Sequence, residues 1–312
     1  MKKFIITTDS SCDCAIDELK QKNIPIVFFK YSDEAFTFED KMNEKNYKNF
    51  YKQMVDGTIF KTSQINPLEF INFFKPLLNE NLPIIHVSLG SGLSNTVNSA
   101  HIAVNQLKEE INNVDIKIVD TKFASLGLTL IINKLYKYQQ DGISASEAYE
   151  KILTEIDNIT AYFTTDTLTY FARGGRLSKV SAFLGNALKI NPVLDVDPDG
   201  KLRIVDKVRG NNHAIQQVIK RVKSSVVDAP KQEVLICHAD NIEKANLIGE
   251  KLVKEVGFKS YKTYFMGPII GAHTGPKLVA VFFMGNKRSY ETSLISSNEK
   301  ELLNSEINKK VK

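Results

Sequence analysis

Short apolar runs that stop on polar residues recur along the first half of this chain, each followed by a longer stretch with helical spacing. Residues 4–8 run into Asp9-Ser10-Ser11, residues 84–88 into Gly90-Ser91-Gly92, and residues 116–119 into Asp120-Thr121. Apolar runs of this length, bounded by turn residues, predict buried strands. Helical spacing follows at 15–21, 96–111 and 124–140, with further helices predicted at 68–78 and 145–156. Strand and helix in alternation need crossover connections, so this half predicts a parallel sheet. Ligands of such sheets gather beyond the carboxyl ends of the strands, where Asp9, Ser10, Ser94 and Asp120 fall.

The second half changes rhythm. Strands are predicted at 160–163, 191–196, 202–208, 234–237, 261–265 and 277–283, with helices through Tyr170 and at 181–188, 211–226 and 242–256. Asp197-Pro198-Asp199-Gly200 predicts a tight turn, because Pro presets one turn dihedral and Gly accepts a positive one. A hairpin there makes the second sheet mixed or largely antiparallel. The fold class is therefore α/β with two domains. Gly142 and Ser144 break and recap the chain, which puts the linker near 141–144 or just beyond the helix at 145–156. The expected division is an N-terminal domain at 1–157, a C-terminal domain at 158–285 and a polar extension at 286–312.

Composition narrows the function classes. With 312 residues, 43% hydrophobic and 25% charged, the chain has ordinary globular composition and is long enough for two cores. The net charge of +5 is a small difference between 41 basic and 36 acidic residues. Without a basic stripe or a helix-turn-helix pattern, nucleic acid is not an expected partner. Cys12, Cys14 and Cys237 suit a reducing compartment, and Cys12-x-Cys14 lacks a second pair at metal-ligand spacing, so it predicts packing residues. The apolar run after Lys2-Lys3 is too short for a signal peptide, and no uncharged stretch reaches the ~18 apolar residues of a membrane span. A cytoplasmic protein with no integral membrane segment is expected.

Three short segments carry the candidate chemistry: Thr62-Ser63-Gln64, Gly90-Ser91-Gly92-Leu93-Ser94-Asn95-Thr96, and Gly271-Ala272-His273-Thr274-Gly275-Pro276. They offer hydroxyls, amides and one imidazole, equipment for a carboxylate or phosphate, with no accompanying nucleophile or metal cluster. Ser94 stands where a helix begins and is an N-cap in any case; a helix start also offers free amides and partial positive charge to an anion. His273 reads either as a structural histidine in an apolar loop or as a ligand contact, its flanking glycines letting backbone approach a bound molecule. Residues 47–60 read as a covering flap or, more simply, an amphipathic helix. No G-x-x-x-x-G-K-[ST] is present, the third dinucleotide-fingerprint glycine is missing, and Gly92-x-Ser94-x-Thr96 is not a hydrolase elbow.

Taken in order, Asp9-Ser10, Thr62-Ser63-Gln64, Ser91-Gly92-Leu93-Ser94-x-Thr96, Asp120-Thr121, Tyr170-x-x-Arg173-Gly174-Gly175-Arg176 and Gly271-x-His273-x-Gly275-Pro276 resemble the DegV family from Lys3 to about Gly285. The family consists of fatty acid-binding proteins that present an acyl chain to a fatty acid kinase. The resemblance implies a carboxylate held by Thr62, Ser94 and His273, supported by Ser63, Gly92, Asn95, Thr96 and Thr274. The acyl chain would lie in an apolar tunnel between and beneath the domains, walled by residues in 161–171, 182–188 and 265–270. It implies no catalytic residue, metal or cofactor, a long-chain fatty acid as ligand, and a kinase partner that carries the catalysis. The acyl phosphate would feed phospholipid synthesis through a downstream phosphate acyltransferase. Arg173 and Arg176 would meet that partner or phosphate, or else form a solvated basic turn. Asn95, Asn191 and Lys277 depart from the family pattern, where Gly, Lys and Gly are usual. The alternative is a stand-alone phosphate-utilising enzyme with Asp9 or Asp120 as acid/base.

Overall fold

The computed structural model describes residues 2–177 and 190–290. The first half runs β1 (Ile5–Asp9), α1 (Ile16–Gln21), β2 (Ile26–Val27), β3 (Lys30–Ser32), β4 (Thr37–Glu39), α2 (Tyr47–Val55), β5 (Lys61–Ser63), α3 (Pro67–Leu77), β6 (Ile84–Ser88), α4 (Thr96–Glu110), β7 (Ile116–Asp120), α5 (Leu126–Gln140) and α6 (Ala145–Glu155). Strands β2-β1-β6-β7 form a parallel sheet in that order. Every residue of β1 and β6 is buried, as in a parallel sheet covered on both faces.

Local chemistry sets several helix ends. Asn66 and Glu69 form a reciprocal capping box with Pro67 in the first turn of α3, and Ser144 caps α6. On α2, Tyr47, Phe50, Tyr51 and Met54 are buried at helical spacing, so residues 47–55 form an amphipathic helix.

The second half runs β8 (Ile159–Thr164), α7 (Thr169–Gly174), β9 (Ile190–Val196), β10 (Leu202–Arg209), α8 (Asn211–Ser225), β11 (Glu233–His238), α9 (Ile242–Lys251), β12 (Ser260–Phe265), α10 (Pro268–Thr274) and β13 (Val279–Met284). Its sheet is mixed, in the order β10-β9-β8-β13-β11-β12, with β11 and β12 parallel and the other pairs antiparallel. The predicted turn joins β9 to β10, with Gly200 at φ +80° and the Asp197 carboxylate accepting from the Asp199 and Lys201 amides. The chain passes from one sheet to the other after α6, through the 3-10 turn Ile156–Asn158. Helix α5 lies between the sheets, touching β1 and β6 on one side and β8, β11 and β13 on the other. One apolar cluster consequently spans Ile6, Ile132 and Phe163.

Some expectations need correction. A third sheet, β4-β3-β5, is antiparallel and built from three-residue strands too short to announce themselves by alternation. Thr62 lies on one of these strands, not in a loop. The helix expected from 124 begins at Leu126, because Ser125 has φ +58° and ψ −137°. The strand expected from Lys277 begins at Val279, because Lys277 is left-handed at φ +69°. The helix expected at 181–188 and most of the 286–312 extension lie outside the described residues.

Candidate functional site

Between the two sheets lies a cavity of about 570 Å³, within the ~300–1,000 Å³ usual for small-molecule sites. Its apolar wall comes mainly from the second sheet. Ala161 and Phe163 on β8 face Phe282 and Ala280 on β13 across the ladder, small against large, and Val196, Leu202 and Leu278 extend that surface. The first half contributes Phe29, Leu89 and Phe123. Phe171 of α7, together with Met266, Ile269 and Ile270 around α10, closes the apolar part.

Contacts made by the polar lining groups cross between the halves. Thr62 Oγ1 lies 2.7 Å from His273 Nε2, joining β5 to the last turn of α10. The imidazole is seated against Gly174, where a Cβ would stand 2.7 Å from Nδ1. Arg176 donates to the Gly174 carbonyl and, through Nε, to the Leu93 carbonyl at 3.3 Å. Ser94 follows, its hydroxyl donating to Thr96 Oγ1 at 3.0 Å and accepting from the Thr96 amide at 3.3 Å. The predicted capping role of Ser94 is therefore present, although α4 itself begins at Thr96. Burial, and secondarily the positive charge of Arg176, hold His273 down to about 4. The imidazole is thus neutral at neutral pH.

Ser63, Gly92, Asn95 and Thr274 also line the cavity, whereas Thr96 is buried behind it. The Thr274 hydroxyl is engaged with the Ile270 carbonyl at 3.1 Å. The two arginines separate: Arg176 lines the cavity, while Arg173 is exposed with its guanidinium 5.8 Å above the Tyr170 ring.

His273 sits in a helix, not a loop, and its glycines serve protein packing instead of ligand approach. A Cβ on Gly271 would strike the Tyr51 hydroxyl, and one on Gly275 the Tyr170 ring. A Cβ on Gly92 would come within 2.6 Å of the Asp199 carbonyl oxygen, so that glycine lets the β6–α4 loop meet the β9–β10 turn. Asn95 has an ordinary φ of −83° and needs no glycine. Lys277, in the left-handed region, occupies a position where glycine is the unstrained choice. Asn191 is tied to Asp166 and Asn211 and does not line the cavity.

Neither carboxylate proposed as acid/base lines the cavity. Asp9 is fully buried and accepts from the Ser11 amide at 3.0 Å, the Ser11 hydroxyl at 2.5 Å and the Leu89 amide at 2.8 Å. Burial nevertheless pushes it up to about 6, those bonds opposing the rise. Asp120 accepts from the Ser91 amide at 2.9 Å, the Ser91 hydroxyl at 2.5 Å and the Lys122 amide at 3.1 Å. Among the described residues, no group of His, Cys, Asp and Glu is arranged to hold a metal ion, and no helix is long and apolar enough to cross a membrane. Ala161, Phe163 and Phe171 fall in a stretch expected as wall, whereas Ala280 and Phe282 on β13 escaped sequence reading, since only strand pairing sets them beside Phe163 and Ala161.

A parallel and a mixed sheet with a largely apolar cavity between them make this chain a two-domain α/β protein. A sequence model of the DegV family, described as an uncharacterised protein family, matches residues 3–286, and the chain belongs to that family. It is 32% identical to a DegV domain-containing protein of Clostridium perfringens over 289 residues, spanning 92% of this chain and 99% of that one. Two solved structures from Thermotoga maritima share the fold. One, a DegV lipid binding protein, is 26% identical with a TM-score of 0.81, covering 92% of this chain and 100% of the other. The second, TM841, is described as revealing a fatty acid binding function; it is 25% identical with a TM-score of 0.80, covering 91% and 100%.

Proposed function

We propose that this chain binds a long-chain fatty acid, its carboxylate held by Thr62, Ser94 and His273 and its acyl chain lying along the apolar wall of the cavity. The observation that carries this reading is a cavity that joins an apolar surface to the uncharged side chains of Thr62, Ser94 and His273. Fatty acid and lipid binding by the two Thermotoga maritima proteins supports it. About 14 methylenes at ~0.8 kcal/mol each give on the order of 11 kcal/mol before association costs. Each head-group bond adds ~1–3 kcal/mol, so the wall supplies affinity and the donors supply orientation.

Ser63, Gly92, Asn95, Thr96 and Thr274 shape the loops around the head group. The three donors are uncharged and Arg176 is committed to the Gly174 and Leu93 carbonyls, which suits a handover, because a Lys or Arg clamp on the carboxylate would quench its nucleophilicity toward a phosphoryl donor. In this reading a fatty acid kinase supplies nucleotide, metal and catalysis, and this chain supplies the positioned acyl carboxylate. The acyl phosphate then passes toward phospholipid synthesis by way of a phosphate acyltransferase. Arg176 borders the head group, and the exposed Arg173 offers a contact to the kinase or to phosphate. A stand-alone phosphate enzyme is not favoured, since Asp9 and Asp120 are occupied in holding loops.

Native mass spectrometry of the freshly purified protein, followed by solvent extraction, tests the proposal. A stoichiometric fatty acid, weakened by Ser94→Ala and His273→Ala, is the expected result. A protein that is empty and refuses added fatty acid overturns it.

A further inference from the structure

A second set of polar groups gathers at the start of α10, around Asp13 and Asp40. Asp13 follows the 3-10 turn after β1 in a left-handed conformation, at φ +52°, and is almost fully buried. Its Oδ1 accepts from the Gly267 amide at 2.8 Å, 254 positions away and immediately before α10. Its Oδ2 lies 3.7 Å from Cys237 Sγ on β11. One carboxyl of the first half therefore ties down the start of the helix that carries His273 in its last turn.

Asp40 forms the other part of this arrangement. It is also almost fully buried, with Oδ1 accepting from the Met42 amide at 3.2 Å and the Tyr47 hydroxyl at 3.4 Å. Its Oδ2 has no hydrogen-bond partner among the described residues. A Cβ on Gly267 would stand 3.1 Å from Asp13 Oδ1 and 3.2 Å from the Tyr47 hydroxyl, so this backbone is wedged between the two. Tyr51, one helical turn after Tyr47, donates to the Met266 carbonyl at 3.0 Å and completes the grip on the entry to α10.

Donors reach Asp13 from Ser125, Gly267 and Cys237, and the ionisable groups around it are neutral or acidic. On the strand and turn around Asp13 are Cys12 and Cys14, both pushed up by burial. From the β4–α2 segment come Tyr47 and Tyr51, likewise pushed up, and Glu44, another carboxyl. From β11 come Cys237, raised by burial, and His238, held down to about 4 by burial; Asp240 follows them. The nearby lysines are committed elsewhere: Lys41 pairs with Glu39 and Lys262 with Glu18. Among the described residues, no ion pair reaches Asp13 or Asp40.

We infer that Asp13 is a positioning residue for the head-group site: buried near Asp40 with no ion-pair partner among the described residues, its carboxyl ties down α10 and thereby His273, and a negative charge gained there favours an opened arrangement in which water reaches it. Burial, with a smaller contribution from Asp40, pushes Asp13 up to about 8 against the bonds from Ser125, Gly267 and Cys237, and burial pushes Asp40 up to about 7. A carboxyl proton is thus bound in the closed arrangement and released near the usual carboxylate range once water reaches the group. Closure takes up protons, and raising the pH from about 4 to about 8 weakens it, by up to ~10-fold per pH unit for each proton linked. The functional consequence rests on the fatty acid reading; the proton linkage itself does not.

The test compares the full chain with Asp13→Asn, which keeps an oxygen acceptor for Gly267 but cannot ionise. Thermal or urea unfolding between pH 5 and pH 8 should show wild-type stability falling with pH and a flatter profile in the variant. Release of a loaded fatty acid should accelerate several-fold from pH 6 to pH 8 in wild type and little in Asp13→Asn. Equal pH profiles for the two proteins overturn the inference, as does a folded Asp13→Asn that holds no fatty acid at pH 6 where wild type does. If the variant fails to fold, carbon-13 NMR titration of the wild-type aspartate carboxyls decides: a resonance of Asp13 titrating above pH 6 supports the inference, and one titrating near pH 4 overturns it. A wild-type chain that binds no fatty acid yet keeps the stability profile breaks the function reading alone.

Discussion

The carboxyl ends of the parallel strands and the rim of the cavity are both rich in polar groups, yet they do opposite work. Asp9 and Asp120 find backbone amides and Ser hydroxyls within the first half of the chain, and those bonds fill the acceptors of their carboxylates. Thr62 meets His273 and Arg176 meets the Leu93 carbonyl across the two halves, and these side chains, with Ser94, still face open volume. Residue type does not separate scaffold from site here. Access to the cavity does: Thr62, Ser94, Arg176 and His273 line it, whereas Asp9 and Asp120 stand outside it, each already holding three donors.

Removing a saturated anchor should produce the largest effect. Asp9→Ala leaves the Leu89 and Ser11 amides without their acceptor inside the protein, and should cost ~3 kcal/mol of stability in urea unfolding. If Asp9→Ala instead left stability unchanged and abolished ligand binding, the two regions would have to exchange roles.

His273→Ala should invert that pattern. Fatty acid affinity should fall by ~1–3 kcal/mol, roughly 5- to 150-fold by titration, while stability drops by only ~1 kcal/mol through loss of the Thr62 bond. The pH dependence sharpens the point. Because burial lowers His273 from its ordinary 6.5 to about 4, the folded state binds fewer protons than the unfolded chain between those values. Its contribution to stability is complete above about pH 6.5 and is lost as pH falls toward 4, and His273→Ala should remove that part of the acid sensitivity.

The smallest effect should have the opposite sign. Lys277→Gly relieves a left-handed residue at φ +69° while giving up the bond from Lys277 Nζ to the Asp240 carbonyl. A net gain of ~0.5 kcal/mol in thermal unfolding, with unaltered fatty acid affinity, is expected, since Lys277 lies outside the cavity lining.

What the sequence by itself determined was whatever depends on neighbours along the chain. Buried runs ending on polar residues predicted β1, β6 and β7; Asp197-Pro198-Asp199-Gly200 predicted the β9–β10 turn, and the mixture of basic and aromatic residues at 47–60 pointed to an amphipathic helix, which covers Tyr47–Val55. The ordered motifs also pointed to the DegV family, to which the chain belongs. Tertiary structure decided the rest. The short strand under Thr62 exists because β3 pairs with it, and the helix under His273 is held by Asp13 and Tyr51 from the other half. The glycines around His273 are explained by the rings of Tyr51 and Tyr170, which approach them only in the folded protein. Periodicity records which face of an element is buried, but it carries no information about which distant side chain arrives there. Thr62 meets His273 across 211 positions, a contact fixed by the packing of two sheets around α5 and by no local pattern in either segment.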